Sequence, residues 1–359
     1  MPHRKLKQQV VEPTFDAEPT RVLIVDDSVV ARAAIGRMID STDRFMVTGA
    51  VGSAREALAF LARSRVEIVL LDIEMPGIDG LTALPDLIVA GRGARVLIVS
   101  SSASAGAAAT VQALALGAAD TLVKPAAGGL AGRFGATLVE RLTRLADAAF
   151  VASPPALAPV VPHLPPIEPF DVVAIGASTG GIHALSALLR AIPPGFSTPI
   201  LITQHLPETF MPYFAAQLAL LAGRPCDVAT DLMRVRPGRI VVAPGAAHMR
   251  CGRVAGQIVI RLSNAPAASG CMPSVDPMFA SIAETFGKRA LCVVLSGMGR
   301  DGAIGARDVI AAGGSVVVQD RVSSVVWGMP GAVAEGGNAT AVLPPAKIGE
   351  LIARGGRGR

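Results

Sequence analysis

Aromatic side chains are scarce in this sequence of 359 residues, because phenylalanine, tyrosine and tryptophan together make up only 4% of it. Hydrophobic residues nevertheless reach 51%, so the cores must consist mainly of alanine, valine, leucine and isoleucine, which is typical of helices packed on parallel sheets. Cysteine is also rare, and the four cysteines form neither close pairs nor a spacing typical of metal ligands. Their pattern excludes a disulfide scaffold and favours a reducing compartment.

Long apolar runs are missing as well. No uncharged apolar run reaches the length of about 20 residues that a membrane-spanning helix requires, and the polar N-terminus lacks the apolar region of a signal peptide. The net charge of +5 is modest, and no stripe of basic and aromatic side chains indicates nucleic-acid binding. We therefore expect a cytoplasmic monomer without direct membrane insertion and without a nucleic-acid partner.

The composition changes sharply at one place in the chain. Residues 146–170 are rich in alanine, proline and valine, and this density of proline predicts a semi-rigid linker. Residues 1–20 are polar and contain proline, which predicts a disordered tail. These segments delimit two expected domains, residues 21–145 and residues 171–354, each long enough to bury its own core.

In the first domain, five strand-helix units follow one another, which predicts a doubly wound α/β fold with five parallel strands. Polar residues follow the strands: Asp26, Asp27, Asp72, Ser100 and Lys124. Since ligands bind at the carboxyl ends of such strands, these side chains should converge. Three neighbouring carboxylates repel one another and are best explained by a hard divalent cation, for which we expect Mg²⁺. The alternative is that each aspartate only ends a strand and caps the next helix.

The second domain contains a glycine-rich turn, Gly176–Gly181, between an apolar strand and an amphipathic helix. It places Ser178 at a helix N-terminus, where unpaired amide groups favour developing negative charge. The turn matches the G-x-S-x-G pattern of nucleophilic serines. A phosphate-binding loop fits poorly, because the next two positions lack the required lysine and hydroxyl residue. A tight turn with a merely structural serine is the third interpretation.

Residues 171–354 again alternate strands and helices, which predicts a doubly wound, mostly parallel α/β domain with a β-hairpin near residues 248–262. Ser178, His205 and Asp301 all follow strands, so the sheet edge should gather them. A histidine can take the serine proton, and a buried aspartate can orient the histidine. Two other histidines compete as the base. His183 lies in the helix after the serine, and His248 follows a strand and could line the cleft.

A second glycine pattern supports a different function. Gly297, Gly299 and Gly302 satisfy the G-x-G-x-x-G pattern between a strand and a helix, and Asp320 ends the next strand. This is the arrangement of a dinucleotide site, so an oxidoreductase is an alternative. Against it, Asp301 would lie beside the negatively charged pyrophosphate. The dinucleotide interpretation also leaves the serine turn unexplained.

Residues 21–140 resemble the receiver domain of two-component response regulators, a flavodoxin-like fold. The resemblance is carried by Asp26, Asp27, the segment Asp72–Gly80, Ser100 and Lys124–Pro125. It implies that Asp72 accepts a phosphoryl group from a sensor histidine kinase of the chemotaxis type and that Asp26 and Asp27, with Asp72, hold Mg²⁺. It also implies that Ser100 binds a phosphoryl oxygen and that Lys124 neutralises charge.

One position departs from this resemblance. Thr121 occupies a place where many receivers carry an aromatic switch residue. The departure puts the usual aromatic relay in doubt. We therefore expect that any signal leaving the phosphorylation site uses another route.

Residues 171–350 resemble the catalytic domain of chemotaxis protein-glutamate methylesterases, the CheB family. The shared stretches are Gly176–Gly181, Gln204–His205, Ala243–Gly245, His248, Pro273–Asp276, Gly297–Gly302 and Val326–Pro330. The resemblance implies Ser178 as nucleophile, His205 as general base and Asp301 as the residue that orients it. It further implies that Thr179 supports the nucleophile region and that the Met298 backbone N–H contributes to the oxyanion hole.

Together, the two resemblances imply a phosphorylation-activated serine hydrolase. It would demethylate glutamyl methyl esters on the cytoplasmic helices of methyl-accepting chemotaxis receptors and deamidate selected glutamines, with no cofactor for the esterase. The alternatives are the receiver-controlled oxidoreductase and a non-catalytic response regulator that only binds receptors. Since a linker of limited reach joins the domains, we also expect the receiver to cover the cleft of Ser178 until Asp72 is phosphorylated.

Overall fold

The computed structural model describes four stretches of the chain: residues 18–100, 104–124, 133–150 and 168–355. Most of the predicted N-terminal tail and residues 151–167 of the predicted linker lie outside them. At the start of the predicted linker, the structure instead continues a helix to Phe150. No helix in the described stretches is long and apolar enough to span a membrane. Residues 18–150 are called the N-terminal half below, and residues 168–355 the C-terminal half.

The N-terminal half contains the predicted sheet of five parallel strands. Its strands are β1 (Thr20–Val25), β2 (Phe45–Val51), β3 (Ile68–Leu71), β4 (Arg95–Ser100) and β5 (Asp120–Val123), in the order β2-β1-β3-β4-β5. Its helices are α1 (Val29–Asp40), α2 (Ala54–Leu61), α3 (Gly80–Gly91), α4 (Ser104–Leu116) and α5 (Arg133–Phe150). The three central strands have almost wholly buried side chains, as expected of strands covered by helices on both faces.

The C-terminal half has a larger parallel sheet. Its strands are β6 (Val172–Ala177), β7 (Ile200–Gln204), β8 (Cys226–Val228), β9 (Ile240–Val242), β12 (Ala290–Val294), β13 (Ser315–Gln319) and β14 (Ala341–Leu343). They pair in the order β14-β13-β12-β6-β7-β9-β8, and every pairing is parallel. The predicted hairpin is confirmed as an antiparallel pair outside this sheet, formed by β10 (His248–Val254) and β11 (Gln257–Ser263).

Helices cover this sheet on both faces. They are α6 (Gly181–Arg190), α7 (Met211–Ala222), α8 (Val275–Phe286), α9 (Ala303–Ala311), α10 (Gly328–Glu335) and α11 (Pro345–Gly355). The sequence analysis did not predict β8, β14, α10 or α11, the first two of which are strands of three residues at the sheet edges. Edge strands this short carry too few alternating positions to be recognised from their sequence.

The two halves pack against each other through helices. Helix α4 contacts α6 and α7, and its apolar side chains are continuous with the core of the C-terminal half. Leu114 and Ala118 belong to the same buried cluster as Ile182 and Leu185. Buried apolar side chains of both halves therefore pack together in this contact, as they do in the core of a domain.

Candidate active site

The glycine-rich turn joins the fully buried strand β6 to helix α6. Ser178 lies at its centre and is held through its backbone: its N–H donates to Ser296 O at 3.0 Å, and its carbonyl accepts from the Gln204 side chain at 2.9 Å. Gly180 adopts a φ of 76°, which favours glycine because other residues are strained there. The sequence therefore builds a rigid turn that presents a half-buried serine at the sheet edge.

The neighbouring glycine pattern is explained by packing around this serine. A Cβ atom at Gly297 would approach the Cβ of Ser178 to 2.8 Å and the sulfur of Met329 to 2.3 Å. Gly299 and Gly302 have φ angles of 82° and 91°, so both need glycine for the backbone conformation alone. These close approaches and turns account for the pattern without a dinucleotide.

His205 and Asp301 form the predicted pair. The Nε2 atom of His205, just beyond β7, lies 2.8 Å from Oδ2 of Asp301, just before α9. Asp301 is only 2% exposed, and its carboxylate also accepts a set of further hydrogen bonds. The donors are Ser274 Oγ (2.7 Å), Val275 N (2.8 Å), Gly302 N (3.0 Å) and Asp276 N (3.2 Å). Asp301 thus orients His205 and also fixes the N-terminus of α8.

These contacts shift the protonation equilibria of both partners. Burial alone would lower the pKa of His205, but Asp301 and Cys271 outweigh it and raise this pKa to about 9. Burial alone would raise the pKa of Asp301, but the hydrogen bonds from His205 and Ser274 lower it. The pair is therefore stabilised as imidazolium and carboxylate, which is the charge state that follows proton transfer from a nucleophile.

Ser178 and His205 line the same cavity but do not form a hydrogen bond with each other. Among the described residues, Ser178 Oγ makes no hydrogen bond to His205. The neighbour of the His205 ring is instead the thiol of Cys271, and ligand atoms of His205, Cys271 and Asp301 all lie within 4.8 Å of one another. His205 lowers the pKa of Cys271 by hydrogen bonding. The sequence analysis found no role for Cys271, because more than 60 residues separate it from His205 and no spacing pattern joins them.

The two predicted supporting residues lie at the same place. Thr179 is buried, and its Oγ1 donates to Oδ2 of Asp120 in the N-terminal half at 3.1 Å. Met298 lines the cavity with a side chain that is 41% exposed. Its backbone N–H donates to no described residue, so this group is free to serve an oxyanion. Sequence reasoning also missed Gln204 as a positioning residue, although its amide holds the carbonyl of Ser178.

The other two histidines have different surroundings. His248 is 1% exposed, accepts from Ser274 N through Nδ1 and bonds Ala265 O through Nε2, both at 2.9 Å. It therefore holds the loop before α8 and does not face the cleft as a base. His183 is exposed on α6, and its ring lies close to Gly117 of the N-terminal half. Neither histidine contacts Ser178 in the described structure.

A cavity of about 510 Å³ opens over Ser178, and both halves line it. From the C-terminal half come the turn, His205, Cys271 and Met298. The N-terminal half contributes Leu114, Ala118, Ala119, Asp120, Arg141 and Arg144. Across the contact, Gly180 N donates to Ala119 O at 3.0 Å. Within the N-terminal half, Arg141 pairs with Asp120 at 2.5 Å. The nucleophile turn is thus hydrogen-bonded to strand β5 and the residue before it.

The second cluster of polar residues lies at the carboxyl edge of the N-terminal sheet. Ligand atoms of Asp26, Asp27 and Asp72 lie within 4.8 Å of one another, and Asp27 is exposed to solvent. Lys124 Nζ approaches Asp26 Oδ2 at 2.7 Å and Asp72 Oδ2 at 2.6 Å. An all-oxygen set of this kind, open on one side, fits the coordination that Mg²⁺ prefers. We call these three aspartates the acidic cluster.

In the acidic cluster and at Lys124, burial and neighbouring charges of opposite sign shift the pKa values in opposite directions. Burial raises the pKa of Asp72, although Lys124 acts in the opposite direction. For Lys124, burial alone would lower the pKa, but Asp26 and Asp72 outweigh it and raise it. Ser100, at the end of β4, is buried and shares a hydrogen bond with Thr110 Oγ1 at 3.0 Å.

The predicted departure at Thr121 lies next to the contact between the halves. Its backbone N–H donates to Oδ1 of Asp120 at 2.8 Å, and its side chain is half-buried. The other carboxylate oxygen of Asp120 accepts from Thr179. Strand β5 therefore carries Asp120 at its start and is followed by Lys124 beyond its end. A short strand joins the acidic cluster to the serine turn.

Comparisons with known proteins agree with both halves of the geometry. Residues 173–352 match the family described as CheB methylesterase, and residues 22–130 match the response regulator receiver domain. A protein-glutamate methylesterase/protein-glutamine glutaminase of Paramagnetospirillum magneticum is 40% identical, with 95% of this chain and 97% of the relative covered. A relative of the same name from Azospirillum brasilense is 38% identical, with 93% and 92% covered. Among solved structures, the CheB methylesterase catalytic domain of Thermotoga maritima aligns with a TM-score of 0.50 and 34% identity, covering 52% of this chain and 98% of that domain.

Proposed function

The chain belongs to the CheB methylesterase family, and from that premise we propose that Ser178 is the nucleophile with which it hydrolyses glutamyl methyl esters of chemoreceptors. The same chain carries a receiver domain, so the protein is a phosphorylation-regulated methylesterase. The observation that carries the residue assignment is the His205–Asp301 pair beside the serine turn, in one cavity. Neither the dinucleotide alternative nor the non-catalytic alternative is supported.

The geometry supports a proposed role for each group in the reaction. Since Nε2 of His205 faces Asp301, Nδ1 of the neutral imidazole is the atom left to accept the proton of Ser178. The serine oxygen attacks the ester carbonyl, and the oxyanion forms near the unpaired N–H of Met298. His205 then donates its proton to the departing methanol, and a water molecule releases the glutamate from the acyl-enzyme. For this proton transfer, the His205 ring and the Ser178 hydroxyl must come together, since no hydrogen bond joins them in the described structure.

The name of the relatives also includes glutaminase activity, and we extend it to the same site here. An amide differs from the ester only in its leaving group, which departs as ammonia after protonation by His205. One cavity and one nucleophile therefore serve both substrates. The reaction with glutamine should be the slower one, since an amide is the less reactive acyl donor.

The test of the assignment is methanol release from a methyl-labelled receptor. Ser178→Ala and His205→Ala should abolish release, while thermal unfolding stays nearly unchanged because neither side chain fills the core. Ser186→Ala is a matched control, since Ser186 is a buried serine on α6 that donates only to Ile182 O. Release at the wild-type rate in the first two variants would refute the assignment.

In the N-terminal half, Asp72 is the proposed phosphoryl acceptor, and a chemotaxis-type histidine kinase is its proposed donor. Asp26, Asp27 and Asp72 would hold Mg²⁺, which supplies positive charge for the transferring phosphoryl group. Lys124 already contacts Asp72 and compensates part of the negative charge. Labelling from a small-molecule phosphoryl donor should require Mg²⁺ and should vanish in Asp72→Asn.

We further propose that the N-terminal half inhibits the esterase by covering it. A receptor helix is about 10–12 Å wide with its side chains, and the cleft of Ser178 is lined on one side by α4, β5 and α5. Phosphorylation at Asp72 would favour the state in which this side is absent. A fragment of residues 151–359 should therefore release methanol faster than the unphosphorylated chain. A folded fragment that is no faster would rule out inhibition by covering.

A further inference from the structure

His205, Cys271 and Asp301 form a group of three different metal-binding side chains, which we call the His-Cys-Asp cluster. A ligand atom of each lies within 4.8 Å of the others. In a tetrahedral zinc site, bonds of about 2.0–2.3 Å place neighbouring ligand atoms roughly 3.3–3.8 Å apart. Nε2 of His205 and Oδ2 of Asp301 are 2.8 Å apart, so these two atoms would have to separate slightly to bind one ion together.

The donor atoms of this cluster differ in kind from those of the acidic cluster. Nitrogen, sulfur and oxygen together suit a borderline-soft cation such as Zn²⁺, whereas Mg²⁺ and Ca²⁺ prefer oxygen alone. Because Cys271 supplies the sulfur, selectivity between the two clusters rests on this residue. Apart from the acidic cluster, no other group of three metal-binding side chains lies this close together in the described part of the chain.

An ion can reach the cluster from solvent. Cys271 lines the cavity over Ser178 and also a neighbouring cavity of about 530 Å³. Its side chain is half-buried, and the next residue, Met272, is 42% exposed. His205 retains 17% of its side-chain exposure. Asp301 is the buried member and would anchor the ion on its inner side.

We propose that the His-Cys-Asp cluster is a site for Zn²⁺ and that zinc bound there reversibly inhibits the esterase. Cys271 would bind as thiolate and release its proton to solvent, His205 would bind through a ring nitrogen, and water would complete the coordination. The inhibitory part rests on the proposed role of His205, since a ring bound to metal cannot accept the serine proton. The binding part rests on geometry alone.

The experiment separates these parts by measuring binding and activity on the full chain. Excess Mg²⁺ is present throughout, so that the acidic cluster is already occupied. Co²⁺, which replaces zinc in such sites, should give a thiolate-to-metal charge-transfer band at one equivalent per chain. Zn²⁺ should displace that band, suppress methanol release and lose its effect when a chelator is added.

Two cysteine variants make the assignment specific. Cys271→Ser should lose the cobalt charge-transfer band and should require at least about tenfold more Zn²⁺ for half-inhibition of its own metal-free activity, a loss of about 1.4 kcal/mol in binding. Cys226→Ser is the control, because that thiol lies on β8 away from the site and burial raises its pKa to about 12.

Each outcome bears on one part of the proposal. A charge-transfer band that persists in Cys271→Ser, or equal zinc inhibition of both variants and the wild type, would overturn the site. A band that depends on Cys271 together with undiminished methanol release would overturn the inhibition and leave the binding intact. Should Ser178→Ala keep full activity, the proposed function would fail while the cobalt band still reported the site.

Discussion

The two polar sites lie at corresponding places in two parallel sheets, at the carboxyl ends of the central strands, and yet they are built in opposite ways. The acidic cluster gathers three carboxylates around a single lysine and is open to solvent at Asp27. In the C-terminal half, a single buried carboxylate, Asp301, is surrounded by hydrogen-bond donors, and the neighbouring cavity over Ser178 is lined partly by the N-terminal half. The carboxyl ends of parallel strands therefore gather one site rich in carboxylates, which suits a cation, and one site in which a single carboxylate is fully hydrogen-bonded.

This difference indicates where control is exerted. The acidic cluster is exposed to solvent at Asp27, whereas the cavity over Ser178 is lined on one side by α4, β5 and α5, which under our proposal keep a receptor helix out. Under this proposal, phosphorylation can occur in either arrangement of the halves, whereas ester hydrolysis depends on where the N-terminal half lies. Four changes test this division, taken from the largest expected effect to the smallest.

Replacing the proposed nucleophile should abolish ester hydrolysis and leave phosphorylation of the N-terminal half unchanged. Ser178→Ala should lower methanol release by on the order of 10⁶, the magnitude known for removal of a catalytic serine. Phosphorylation of Asp72 should proceed normally, since no reacting group is shared. Methanol counting and phosphoryl labelling on the same preparation measure both quantities. A parallel loss of labelling would show that the two sites are not independent.

Removing the charge of the buried carboxylate should affect both rate and stability. Asp301→Asn should reduce methanol release by on the order of 10³–10⁴, by analogy with the same change in a serine protease. The amide also turns a donor towards N–H groups that now bond the carboxylate, so the melting temperature should fall. Asp308→Asn on α9 is the matched control, and differential scanning fluorimetry gives the second measurement. An unchanged melting temperature would contradict the anchoring role of Asp301 at α8.

Blocking phosphorylation should remove only the regulated part of the activity. In Asp72→Asn, a phosphoryl donor with Mg²⁺ should no longer raise methanol release, a loss of about 5–150-fold, the usual range of such coupling. The basal rate should stay near that of the unphosphorylated wild type. Stimulation that survives the substitution would place the acceptor at another residue.

The smallest effect concerns the contact between the halves. Asp120→Ala removes the acceptor of Thr179 Oγ1, and a loss of about 1 kcal/mol should raise the basal rate roughly fivefold. Asp147→Ala is the matched control, because its carboxylate pairs with Arg44 and both side chains are largely exposed to solvent. Basal methanol release without a phosphoryl donor distinguishes the two variants. Equal rates would mean that the Asp120 contact does not hold the closed state.

The sequence predicted much of this architecture, because strand ends carry their chemistry in order along the chain. The acidic cluster and the His205–Asp301 pair were both found by assuming that residues after parallel strands converge. The five-stranded sheet and the hairpin are confirmed for the same reason, since their apolar runs and turns are local signals. The catalytic and phosphoryl-transfer roles proposed for the residues of both sites remain predictions.

What could not be predicted depends on contacts between distant segments. Cys271 approaches His205 only because His248 and Asp301 hold the loop between β11 and α8, and no spacing along the chain records this. The bond from Thr179 to Asp120 joins two domains whose relative placement is a matter of packing. Helix α5 continued into the predicted linker because its apolar face still packs on the N-terminal core, with Leu145 and Ala146 buried.

The apolar packing of α4 on α6 and α7 has a thermal consequence. Opening the cleft must expose Leu114, Ala118 and their partners to water, so the open state has the higher heat capacity. Hydrophobic association weakens on cooling, so the free-energy difference that favours the closed state over the open state should shrink at low temperature. The unphosphorylated enzyme should then retain a larger share of its fully activated rate at low temperature than in the warm. In a cell, the inhibition of receptor demethylation by the unphosphorylated N-terminal half should therefore become weaker as the temperature falls.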